Sequence, residues 1–320
     1  MAQHFLLSAK ARTLSLVQVA RMSEDEARAT FRAMRWHSTG GDPVCPACGC
    51  LAVYEYKARP LFKCKACGKQ FSVTSGTIFH SRKLPVRDYL LAIAIFVNGA
   101  KGMAALQLGR DIDVSYKTAY VLAHKLREAM SAENATGVAK GEVEIDGCYF
   151  GGHVKPANHK ENRRDRRLSE NQSGKREVVV AMRERGGRTF PFVVKAEDEA
   201  VAIIRKRVLA GSTVFADEAA CWDPLHAKFE AKRINHSFSF SDDGACTNQV
   251  ESFFSRLRRA EIGQHHHISG PYLRFYDGVM AWREDNRRWD NGALYELAGV
   301  AALGHPKSRN WCGYWQRTNA

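Results

Sequence analysis

The chain has 320 residues, 45% hydrophobic and 26% charged, a globular composition with enough apolar material for two or three small units and at least one packed core. No run approaches the roughly 20 apolar residues of a membrane-spanning helix. Forty-eight Lys and Arg against 34 Asp and Glu leave a net charge of +14, an excess that favours a polyanionic partner, most commonly nucleic acid.

The first stretch, MAQHFLLSAKARTLSLVQVARM, breaks its short apolar runs with Lys10, Arg12 and Arg21 and does not read as a secretory leader. A cytoplasmic protein without membrane association is expected, located at the nucleoid when bound to DNA. Residues 23–36, SEDEARATFRAMRW, predict a helix, with Ser23 and Glu26 spaced for a capping box. HSTGGDP then breaks the chain before a Cys-rich unit. Nine cysteines in a cytoplasmic chain point to metal ligation rather than disulfides. Cys45-x2-Cys48, fifteen residues, then Cys64-x2-Cys67 gives two knuckles with two thiolates each. That is the closed four-thiolate set of a structural zinc, in which no position stays open for water. Cys50 is a spare thiol.

From Pro85 to about Met130 the periodicity is helical. VRDYLLAIAIFVNG forms one apolar-faced helix ended by Gly99, and the following segment reads as helix, turn, helix. This could be a helix-turn-helix, with Ser115 capping a recognition helix that carries Tyr116, Lys117, His124, Lys125 and Arg127. A plain two-helix packing unit fits the same pattern. SAENATGVAKG (131–141) reads as a linker.

From Glu142 the pattern changes to alternating strand and helix. VEIDGCYF, REVVVAMRE, TFPFVV and STVFAD are strand candidates, while EDEAVAIIRKRVL, NQVESFFSRLRRA and GPYLRFYDGVMAWREDNRR have helical spacing. The expected fold class is therefore α/β with a mixed sheet. Between the first two strands, residues 153–175 are polar and rich in basic side chains, among them Arg163, Arg164, Arg166 and Arg167, suited to neutralising phosphates.

Asp146 interrupts the first strand and Asp217 ends STVFAD. Each alone fits a turn or capping aspartate. Glu144 shares a strand face with Asp146, and Glu218 reads as a surface acid. Glu251 lies beside an apolar stripe of Val250, Phe253, Phe254 and Leu257, on a polar stripe with Asn248, Ser255 and Arg258. Asn248 and Glu251 could equally form a capping-box pair. Together, the three acids could converge on two divalent ions that activate a nucleophile and stabilise a leaving oxygen. Oxygen donors suit magnesium or manganese.

Four stretches resemble a known family: FKCKACGKQFSVTSGTIFHSRKLP, VEIDGCYFGG, STVFADEAA with a following INHS, and NQVESFFSRLRRAEIGQHHHISGPYLRFYDGVMAWREDNRR. From about Cys45 to Arg288 the chain is similar to bacterial insertion-sequence transposases of the DDE type that carry an N-terminal zinc ribbon. The resemblance implies a ribonuclease H-like domain that cuts DNA at element ends and joins the freed 3′-hydroxyls to target DNA. It implies Asp146, Asp217 and Glu251 as the catalytic acids, with Asn248 as an alternative third ligand. It further implies His236 as a supporting residue and Arg258 as a phosphate contact, and at least a dimer on double-stranded DNA. A regulator with an inert α/β domain, or an inactivated and repurposed transposase, would show the same Cys motif and charge. The expected organisation is a helical segment (1–40), zinc ribbon (41–80), helix-turn-helix region (81–135), catalytic domain (136–305) and tail (306–320).

Overall fold

The computed structural model describes residues 5–151, 157–164, 171, 174–235 and 246–313. The chain forms two compact units, Met1–Met130 with Asn286–Ala320, and Ser131–Asp285.

The first unit opens with α1 (Leu16–Arg21) and α2 (Glu24–Arg35). The capping box expected for α2 is present: Ser23 Oγ accepts from the Glu26 amide, and the Ser23 amide donates to the Glu26 carboxylate at 2.8 Å. A three-stranded antiparallel sheet follows, β1 (Val53–Glu55), β2 (Phe62–Cys64) and β3 (Gln70–Phe71). Strands this short bury little surface. Their small core is Phe62 and Phe71 closed by Trp36, whose ring meets both edge-on at 5.5 and 6.4 Å. Next come α3 (Val86–Asn98), α4 (Ala105–Asp111) and α5 (Tyr116–Thr136). Helix α3 is buried almost all round, as its unbroken apolar run requires. Helix α5 continues through residues 131–136, so half of the segment expected as a linker is helical; Ala, Glu and Ser there extend a helix at little cost.

The second unit is built on a five-stranded mixed sheet ordered β6-β5-β4-β7-β8. Its strands are β4 (Glu142–Phe150), β5 (Glu177–Glu184), β6 (Thr189–Val194), β7 (Thr213–Asp217) and β8 (Glu230–Ile234). Strands β4, β5 and β6 form an antiparallel meander, while β7 runs parallel to β4 and β8 parallel to β7. This is a ribonuclease H-like arrangement. Pro191 sits in β6, where an edge strand tolerates its missing N–H. Strand β8, EAKRI, was not expected from the sequence, because its alternation is mostly polar.

Period-two alternation assigns the sheet's two faces. Val143 and Ile145 of β4 join Val214 and Ala216 of β7 under α6 (Ala200–Arg207). The opposite face carries Cys148, Phe150, Val179 and Ala181, covered by α7 (Asn248–Ala260) and α8 (Gly270–Asp285). Cys148 packs in that apolar cluster, and burial pushes its thiol up to about 11, so it is a core residue. The last helix, α9 (Asn291–Gly304), packs on α2 and α3 of the first unit.

Candidate active site and zinc ribbon

The register of β4 against β7 brings the two aspartates together. Ile145 pairs with Ala216 in parallel alignment, so Asp146 and Asp217 come next on neighbouring strands, and both alternate onto the α7 face. Asp146 Oδ1 accepts from the Gly147 amide at 2.7 Å, and Asp217 Oδ1 accepts from the Ala219 amide at 3.2 Å. Beyond Asp217, Arg233 of β8 holds the turn by donating to the Asp217 and Ala219 carbonyls and to the Asp223 carboxylate. The unexpected strand therefore fixes the backbone of the second acid.

Glu251 arrives from the first turn of α7. The helix is amphipathic as its spacing requires, with Val250, Phe253, Phe254 and Leu257 buried and Glu251 exposed. Its start is anchored by a buried carboxylate of β4. Glu144 is 0% exposed, and accepts from the Gln249 and Val250 amides at 2.8 and 3.0 Å. These are orphan donors of a helix N-terminus, where negative charge is favoured. Arg185 donates to Glu144 at 3.0 Å and to the Cys246 carbonyl at 3.0 Å, and its guanidinium lies 3.6 Å from the Phe215 ring centroid. The capping box imagined for Asn248 and Glu251 does not form. Thr247 is the N-cap, Asn248 is the first helical residue, and the Thr247 hydroxyl donates to the Glu251 carboxylate at 2.7 Å.

The electrostatics of Asp146 record this convergence. Burial is the main cause that raises its carboxyl to about 7, and the charges of Asp217, Glu251 and Glu197 add to it. A carboxylate facing three others in a half-buried setting is one that a bound cation would return to its ionised form. Glu197, in the turn before α6, is a fourth acid missed in the sequence. It is bonded to the Cys221 thiol, and its carboxylate occupies the space a side chain at position 147 would need, which explains Gly147 after Asp146. Arg258, two turns after Glu251, is exposed and stands 5.4 Å from the Phe150 ring centroid. Carboxylate oxygens are the donors that hard divalent ions take; among the described residues, the group whose ligand atoms all lie within 4.8 Å of one another is the four cysteines rather than these acids.

In the first unit, the Sγ atoms of Cys45, Cys48, Cys64 and Cys67 all lie within 4.8 Å of one another. Cys45 and Cys67 are 3.7 Å apart, and Cys48 and Cys64 3.5 Å. A tetrahedron with Zn–S bonds of ~2.3 Å has edges of about 3.8 Å, so the sulfurs stand where zinc would hold them. The Cys67 amide donates to Cys64 Sγ and helps to lower that thiol to about 6, which favours the thiolate that metal needs.

The other sequence-level candidates are spread differently. Lys117 is exposed on α5 and Lys125 half-buried. His124 and Arg127, expected on a DNA-reading face, are both buried: His124 stacks on Trp311 at 4.4 Å, and Arg127 donates to the Met103 carbonyl. Much of their helix is buried, so polar side chains at inward positions are absorbed into the core. Ser115 does cap the start of α5, accepting from the Thr118 amide. Arg163 and Arg164 are exposed. His236, Arg166 and Arg167 lie outside the described residues.

The second unit thus pairs Asp146, midway along β4, with Asp217 at the end of β7, and the first unit carries a four-cysteine ribbon. Residues 138–285 match the ISXO2-like transposase domain, and residues 22–70 match a transposase zinc-ribbon domain. The chain therefore carries a DDE transposase domain preceded by a transposase zinc ribbon. It is also 28% identical, over 272 residues, to an uncharacterized protein in transposable element ISH50 of Halobacterium salinarum, covering 80% of this chain and 90% of the relative. Among the described residues, no helix is long and apolar enough to cross a membrane.

Proposed function

We propose that this transposase cuts DNA at the ends of its own element and joins the freed 3′-hydroxyls to target DNA, using Asp146, Asp217 and Glu251 to hold divalent cations. The observation that supports this reading is the β4–β7 register, which makes Asp146 and Asp217 neighbours, together with the Glu144 anchor that ties the start of α7, the helix of Glu251, to β4. Magnesium or manganese, when bound, would supply an activated water or 3′-hydroxyl and stabilise the leaving oxygen. The chain's own part is positional. Asp146 and Asp217 present carboxylates from rigid strands, and Glu251 is oriented by the Thr247 hydroxyl. We assign the third ligand to Glu251 rather than Asn248, because a carboxylate offers a divalent cation an anionic oxygen, which the neutral amide of Asn248 does not.

Arg258 extends the acidic site toward a phosphate, while Arg163 and Arg164 neutralise flanking backbone along with Arg166 and Arg167. The zinc ribbon and the α4–α5 segment, with Lys117 and Lys125, bind the element ends. Holding two ends together requires at least a dimer. The test is strand transfer on the element's own ends with magnesium, manganese or neither. Asp146→Asn and Asp217→Asn are expected to abolish joining while end binding stays within about twofold. Retained joining in either variant would overturn the assignment, and Asn248→Ala with full activity alongside inactive Glu251→Gln would support the choice of third ligand.

A further inference from the structure

The first unit contains a cleft of about 750 Å³ that neither matched domain covers. Three segments distant in sequence form it together with Tyr89 of α3. One is the stretch His80–Leu84 after the ribbon, the second is one face of α5, and the third is Lys307–Gly313 after α9. On α5 the lining residues 117, 118, 121, 122 and 125 follow helical spacing and so make a single stripe.

The charge of this cleft is one-sided. Arg82, Lys83, Lys117, Lys125 and Lys307 line it with His80, and among the described residues no carboxylate does. Among the described residues Lys83, Lys117, Lys125 and Lys307 form no ion pair. The imidazole of His80 registers the resulting potential. Burial lowers its affinity for a proton, and the positive charges of Lys307, Lys125 and Lys69 lower it further. Uncompensated cations around a concavity raise its energy unless an anion enters, and a low-dielectric wall strengthens the attraction. Here the walls are the largely buried Tyr89, Leu122 and Trp311.

We propose that this cleft seats the phosphodiester backbone of DNA, with Lys83 and Lys307 on opposite segments and Lys117 and Lys125 along α5 as its phosphate contacts. The inference rests on the transposase reading for the identity of the polyanion. It differs from a recognition helix that reads bases in the major groove: the lysines of α5 face a cleft with a wall from the C-terminal segment, so they act on backbone charge. Phosphate contacts set affinity and position without sequence preference.

The test uses full-length zinc-loaded protein without magnesium, and measures anisotropy of a labelled 30-base-pair duplex of arbitrary sequence from 50 to 200 mM KCl. Each phosphate contact removed lowers the slope of log K against log salt by about 0.9. The double variant Lys83→Ala/Lys307→Ala should therefore lose about 1.8 from the slope, which reduces its salt sensitivity over that fourfold range by about 12-fold. Lys307→Arg should retain the wild-type slope. Zinc content and melting temperature identify a variant that fails to fold, and a second measurement avoids variants altogether: bound duplex should protect Lys83, Lys117, Lys125 and Lys307 of the wild type from acetylation. An unchanged slope in a folded double variant, or lysines acetylated equally with and without DNA, overturns the proposal. So does protection of these lysines from acetylation by inorganic phosphate but not by duplex, which would make the cleft a small-anion site. The acids of the second unit take no part in this assay. Its failure would leave the Asp146 result standing, and failure of Asp146→Asn would not alter the slope.

Discussion

Glu144 is the residue on which the placement of the third acid turns. It is buried, ionically paired to Arg185, and spends its second oxygen on two amides of α7. Removing one partner of a buried, hydrogen-bonded pair leaves the other charge uncompensated. Glu144→Ala is therefore expected to lower unfolding stability by roughly 3–5 kcal/mol and to reduce strand transfer at temperatures where the protein is still folded; denaturant titration and the joining assay measure the two effects. Glu144→Gln, which keeps the shape, should cost less stability yet still reduce activity. Asp277 of α8 is a different case. It is 1% exposed, its Oδ2 has no partner, and burial pushes its carboxyl up to about 8. Below pH 4 the group is protonated whether folded or unfolded, and exerts no effect. Between pH 4 and 8 the unfolded chain ionises first, so this group lowers stability as pH rises, and its penalty is complete above 8. Asp277→Asn should match the wild type at pH 4 and exceed it at pH 7 by on the order of 4 kcal/mol, as measured by urea unfolding at the two pH values.

At the scale of elements, short strands and long helices are stabilised in different ways. The ribbon strands β1 to β3 have two or three residues each and a core of three aromatic rings, too little to hold without the sulfurs. Chelation of zinc, or Cys45→Ser, should therefore unfold this part first, seen as loss of the Trp36 environment in near-ultraviolet dichroism, while the five-stranded sheet persists. The end of α8 is tied to the sheet by polar contacts instead. Arg183 of β5 pairs with Glu284 and Asp285 at 3.3 Å each, and Asp285 accepts from the Thr189 amide. Arg183→Ala removes the cation that Glu284 and Asp285 share but leaves Arg256 on Glu284 and Thr189 on Asp285, and is expected to destabilise the second unit by about 1–3 kcal/mol, as read from its thermal transition. Most elements were legible from periodicity: α2, α3, α7 and β4 to β7 begin and end close to where the sequence pattern places them. Strand β8 and helix α9 were not. EAKRI has too few apolar positions to declare a strand, and α9 is apolar on nearly every side, so it offers no face to read.

At the scale of the whole molecule the net charge of +14 predicts steeply salt-dependent DNA binding, and the cleft of the first unit supplies one place where that charge is concentrated. The amino-acid sequence by itself determined the zinc ligands, because two tight turns with two thiolates each are a local property. It also determined the fold class, through strand and helix periodicities, and the resemblance those motifs carry singled out the three acids proposed for the site. Tertiary structure alone decided that Asp146 and Asp217 are neighbours, since a parallel register depends on how β4 and β7 pair across 70 residues of intervening chain. It also decided that Glu144 anchors α7, that His124 and Arg127 are core residues, and that Lys307 lines one cleft with Lys83 and Lys125. The reason is common to all of these. Spacing along the chain specifies which face of an element a side chain occupies, but what that face meets is set by packing between elements, and pairwise distance is not encoded in either segment alone.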